Sequence, residues 1–104
     1  MSTNDQMGEF ITLDEASQMT ARYRATIQPG ETIAVAVSSQ IINRILAQDN
    51  CKGLRFYFAV DESGSQTLVT VGIDQNENDM TTGLIADNFG KCPSICSIEN
   101  SLNS

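Results

Sequence analysis

The sequence predicts a small α+β domain, and three observations carry that prediction. Two segments repeat apolar residues at three- and four-residue spacing behind a capping residue, two neighbouring runs alternate apolar and polar positions around a turn-forming stretch, and the rest of the chain shows no long periodic pattern. The 104 residues match the size of one domain, and 40% apolar content suffices for one core without help from disulfides. Residues 1–11 are mostly polar and read as a flexible arm, leaving 12–104 as a single domain.

The first firm element is a helix over about 13–26. Thr12-Leu13-Asp14-Glu15 has the form of a capping box, and Ala16, Met19, Tyr23 and Ile27 follow as an apolar stripe suited to core packing; Pro29-Gly30 ends it. Residues 33–37 alternate Ile33, Val35 and Val37 with two alanines, a strand fit for close packing against a helix. A second helix over about 39–48 starts at Ser38 or Ser39, carries Ile41, Ile42, Ile45 and Leu46 on one side, and should lie on the sheet. The strongest element is the hairpin over 54–73, turning at residues 61–65. Alternation is expected to place Phe56, Phe58, Val69, Val71 and Ile73 on a core face and Arg55, Tyr57, Leu68 and Thr70 on the opposite one. The strand at 33–37 should join this antiparallel sheet, with a mostly irregular C-terminal segment held by cysteines.

Charge and residue inventory exclude several functions. With 6 Lys+Arg against 13 Asp+Glu the net charge is −7, so the molecule repels phosphate backbones and anionic lipid; neither nucleic acid nor a membrane is expected as partner. The absence of histidine removes Ser-His-Asp triads, Cys-His nucleophiles and His-containing zinc sites. The carboxylates near the hairpin lie in hydrophilic turns that give no burial to separate their pKa values, and no Gly-rich phosphate loop is present. A non-enzymatic protein is therefore expected. Residues 1–9 contain no basic-then-apolar export pattern, which points to the cytoplasm and to reduced thiols.

Two constellations could bind a cation. Cys92 and Cys96, with Cys51 as a third thiolate, could hold zinc if Asp49, Asp87, water or a second subunit supplied the fourth ligand; Cys92 and Cys96 could equally close a redox or structural disulfide, or Cys51 could simply be a buried apolar residue. Asp74, Asn76 and Asn78 match the first, third and fifth positions of a calcium loop, but Asp79 stands where the loop needs glycine and Ile85 where it needs a bidentate glutamate. An acidic solvated turn fits those residues as well.

The segments Ile11-Thr12-Leu13-Asp14-Glu15-Ala16-Ser17 and Ile45-Leu46-Ala47-Gln48, with Cys51, Gly53, Cys92-Pro93 and Cys96, resemble a family of short uncharacterised bacterial proteins. The resemblance spans most of the chain, implies one intact domain and brings no activity with it. The reading that remains is a protein-binding or self-assembly module, most simply a homo-oligomer, whose contact surface is Arg55, Tyr57, Leu68 and Thr70. A thiol-dependent protein and a calcium-binding module are the alternatives.

Overall fold

The computed structural model describes residues 7–104 and shows the expected α+β architecture, with two helices and two small antiparallel sheets. Residues 1–6 of the expected arm lie outside the described residues; residues 7–11 are exposed and without regular secondary structure. Among the described residues no helix is long and apolar enough to cross a membrane.

Helix α1 spans Leu13–Arg24. Its capping box forms as the sequence predicts: the Glu15 N–H donates to Thr12 Oγ1 at 3.1 Å and the Thr12 N–H donates to Glu15 Oε1 at 3.0 Å. Asp14 and Glu15 at the start and Arg22 and Arg24 at the end oppose the helix dipole favourably. The expected core stripe is not used. No α1 residue is buried and Met19 is 57% exposed, because the helix is tethered by polar bonds instead of packed on the sheet. Tyr23 reaches Thr32 C=O, and the Arg24 guanidinium donates to the carbonyls of Leu102 at 2.5 Å and Ser104 at 2.7 Å.

Strand β1, Ala34–Ala36, departs from expectation. It pairs with a strand the sequence does not announce, Gly90–Cys92, in a separate two-stranded sheet, and does not join the hairpin. Helix α2, Ser39–Leu46, follows with Ser38 Oγ accepting from Ile41 N–H at 3.3 Å and with Ile45 buried against the hairpin.

The hairpin comprises β2, Gly53–Val60, and β3, Gln66–Ile73; the two-residue strand β4, Ile85–Ala86, pairs along the far side of β3. The strand Gly90–Cys92 is β5. Strand β3 is thus central, and Thr70, Val71, Gly72 and Ile73 are all buried. Strand β2 lies at an edge.

Register corrects the expected faces. Phe56 lies opposite Thr70, Phe58 opposite Leu68, Tyr57 opposite Val69 and Arg55 opposite Val71. Directly opposed residues share a face, so Leu54, Phe56, Phe58, Leu68, Thr70 and Gly72 form one side and Arg55, Tyr57, Val69, Val71 and Ile73 the other. The turn sets this: Asp61 N–H donates to Ser65 C=O at 2.9 Å, and Gly64 takes a φ of 88° that favours glycine.

Helix α2 covers only one end of the first face. A Cβ at Gly72 would stand 2.8 Å from Cys51 Sγ and 3.3 Å from Ile45 Cγ2, so glycine is what lets the end of α2 close onto β3. We expect Gly72→Ala to destabilise the protein by about 1–3 kcal/mol in denaturant titration. Cys51→Ala in the same chain should recover part of that loss, and strictly additive effects would contradict the contact.

Candidate interaction surface

Strand β2 carries the most exposed apolar side chains of any regular element. Phe58 is 82% exposed, Val60 69%, Tyr57 47% and Phe56 42%, whereas only Ile45, Val71, Ile73 and Cys92 form the buried apolar core among the described residues. These large apolar side chains stand in water beside a thin core, which makes β2 the candidate interaction surface.

Backbone phase adds a second property to the same strand. Because Asp61 N–H bonds to Ser65 C=O, the groups of residues 53, 55, 57 and 59 face β3, and those of Leu54, Phe56, Phe58 and Val60 point outward. The Gly72 carbonyl agrees with this phase, since it turns away from β2 to accept from Met80 N–H at 2.9 Å. Among the described residues no other segment takes up the outward groups of β2. The strand contains no proline, no lysine and a single charge, Arg55, so it has few of the features that normally blunt an edge.

Beside Phe58, on the α2 face, runs an apolar groove of about 470 Å³ walled by Tyr23, Ile33, Val35 and Leu68. It exists because β1 stands apart from the hairpin and α2 stops short of Phe58.

The four residues the sequence assigns to one contact surface are divided. Leu68 and Thr70 lie on the groove face, where Thr70 is fully buried and its hydroxyl donates to the Arg55 carbonyl at 3.2 Å. Arg55 and Tyr57 lie on the other face, and both are held by Asp79. Arg55 Nη1 is 2.5 Å from Asp79 Oδ1 and 3.3 Å from the Glu77 carbonyl, while the Tyr57 hydroxyl donates to Asp79 Oδ2. The Tyr57 hydroxyl and then Arg55 hold the Asp79 carboxyl below its ordinary range, and the same carboxylate raises the pKa of Tyr57 and of Arg55. This trio fastens the 74–80 loop to the sheet.

A second ion pair joins the two sheets. Asp61 accepts from Lys91 Nζ on β5, from the Ser63 hydroxyl and from the N–H groups of Ser63 and Ser65. Lys91 foremost, then Ser63 and Ser65, hold the Asp61 carboxyl well below the usual carboxylate range. Beside this pair a cleft of about 520 Å³ opens between Val69, Phe89 and Asp87.

The expected three-thiol site is not assembled. Among the described residues no three His, Cys, Asp or Glu side chains come together to hold a metal. Cys92 and Cys96 are joined as a disulfide with their Cα atoms 4.8 Å apart, and Cys51 lies elsewhere, half-buried, with its thiol directed at the Gly53 carbonyl. The loop of Asp74, Asn76 and Asn78 forms a turn around the Asp74 carboxylate, whose Oδ1 accepts from Asn76 N–H at 2.9 Å and Asn78 N–H at 3.0 Å. Asp74 therefore organises its own loop.

Comparison of the chain with protein-family models, with curated proteins and with solved structures finds no match, so the candidate surface stands on its own geometry. Sequence reasoning assigned Phe56 and Phe58 to the core and so missed the exposed strand; the signal available was eight strand residues with one charge and no proline.

Two outcomes follow from these contacts. A folded-state pKa below the unfolded one means the ionised Asp61 stabilises the fold above the unfolded value of about 4, and the contribution disappears as pH falls toward the depressed value. Acid titration of Asp61→Asn should accordingly show a shallower loss of stability below about pH 4 than the unmodified chain, and identical profiles would count against the Lys91 pair. Thiol titration of the native, unreduced protein should find one slowly reacting group, Cys51, and reductant plus denaturant should expose all three cysteines.

Proposed function

We propose that this protein is a self-assembly module that associates through the open edge of β2. The observation that carries the reading is the coincidence, on one strand, of outward backbone groups and exposed Phe56, Phe58 and Val60. Unpaired strand edges template the addition of another strand, main-chain bonds giving affinity and flanking side chains selectivity. The occupant is a second copy of this chain. A copy supplies a strand with the same unblunted edge and the same apolar side chains, and Lys52, just before β2, complements Glu62, just after it, when two copies run antiparallel.

The Cys92–Cys96 link favours a second, supporting role for the thiols. It closes a loop directly after β5, whose Cys92 lies opposite Ala34 of β1, so it restrains the chain where the small sheet ends.

Sedimentation at micromolar concentration should show a species larger than the monomer. Phe58→Pro removes an outward N–H that the hairpin does not use, so it should yield a folded monomer with an unchanged circular-dichroism spectrum. Tyr57→Pro removes an N–H that bonds β3 and should unfold the hairpin. An unmodified chain that stays monomeric across this range would overturn the proposal.

A further inference from the structure

Strand assembly leaves open how two β2 edges align, and the side chains restrict the answer. The outward groups belong to Leu54, Phe56, Phe58 and Val60, so an antiparallel partner can bond only where these positions oppose one another. Three two-fold registers do this near the middle of the strand, with the axis at Phe56, at Tyr57 or at Phe58.

With the axis at Phe56, Val60 runs past the start of the other copy's β2 and its outward groups find no strand partner. With the axis at Phe58, Leu54 is left without a partner in the same way at the other end. With the axis at Tyr57, Leu54 faces Val60, Phe56 faces Phe58, and Arg55 faces the small Ala59. All four outward residues of each strand then find partners, giving four pairs with two backbone bonds each. Lys52 directly precedes β2 and Glu62 follows it in the turn, so this register brings opposite charges to both ends of the seam; both are exposed, and neither takes part in an ion pair among the described residues.

Resting on the strand-assembly reading above, we infer that two copies join antiparallel about a two-fold axis at Tyr57, merging their three-stranded sheets into one of six strands. On the groove face the Phe56 and Phe58 rings of the two copies stack as neighbours across the seam. On the other face the two Tyr57 residues meet at the axis as a pair without mutual backbone bonds, each held by its own Asp79, whose charge Arg55 offsets. The net charge of −7 on each copy opposes association, so the two Lys52–Glu62 pairs orient the encounter, and added salt acts on both effects.

Cross-linking tests the register in a Cys51→Ser background, with the Cys92–Cys96 link left in place. Cα atoms of a pair at the axis lie about 4.5 Å apart, within the range a disulfide spans. Tyr57→Cys alone should give a covalent dimer under mild aerobic oxidation. Phe56→Cys and Phe58→Cys should each fail to link to themselves and should link when mixed, which keeps the test valid if Tyr57→Cys does not fold. Self-linking of Phe56→Cys or of Phe58→Cys overturns the Tyr57 axis. A dimer by sedimentation, lost in Phe58→Pro, with no link at any of these positions overturns the register and leaves strand assembly standing; a monomer throughout overturns both. Lys52→Glu and Glu62→Lys should each raise the dimer dissociation constant about fivefold, and the double reversal should restore it. Failure of the double reversal to restore would likewise reject this alignment.

Discussion

The structure depends on the parity of one turn. Asp61 folds its carboxylate over the N–H groups of Ser63 and Ser65, Gly64 adopts a positive φ, and the chain re-enters pairing with Val60 opposite Gln66. A loop one residue longer or shorter would exchange the two faces of β3 relative to β2. It would move Phe58 away from Leu68 and the groove, separate Thr70 from the α2 side, and reverse which backbone groups of β2 point outward. The turn is also the point at which the two sheets are joined, since the carboxylate that shapes it receives Lys91 from β5.

A thin core and an open edge are two aspects of one arrangement. Helix α2 is only eight residues long and closes over the Gly72 end of the hairpin, and α1 is held by polar tethers and buries nothing. The apolar content of the chain is ordinary for a domain, so side chains that would normally fill a second layer stand in solvent along β2 and on α1. The polar contacts compensate by locking individual pieces: Gln48 bridges the end of α2 to Leu84 N–H and to the Ile45 carbonyl, and Asp79 holds the 74–80 loop through Arg55 and Tyr57.

Local signals in the sequence were legible and long-range ones were not. Thr12 with Glu15, Ser38 with the isoleucines of α2, and the alternating runs around 61–65 each describe interactions within a few residues, and each element formed close to its expected bounds. The helices ended two residues early, where Ala25 and Ala47 serve as caps. The strands Ile85–Ala86 and Gly90–Cys92 are too short to carry periodicity, and so the partner of β1 was invisible. The division of Arg55 and Tyr57 from Leu68 and Thr70 was lost for another reason: alternation fixes which residues of one strand share a face, and only the turn fixes how two strands combine.

The pairing of Ala34 with Cys92 spans about 58 residues, whereas the whole hairpin closes within 21, from Gly53 to Ile73. Closing the longer loop costs more chain entropy and returns only a three-residue ladder. The hairpin therefore carries the more local contacts of the two sheets, and the small sheet depends on closing the longer loop. The open edge of β2 is thus set by the hairpin alone, and the pairing of β1 with β5 contributes nothing to it.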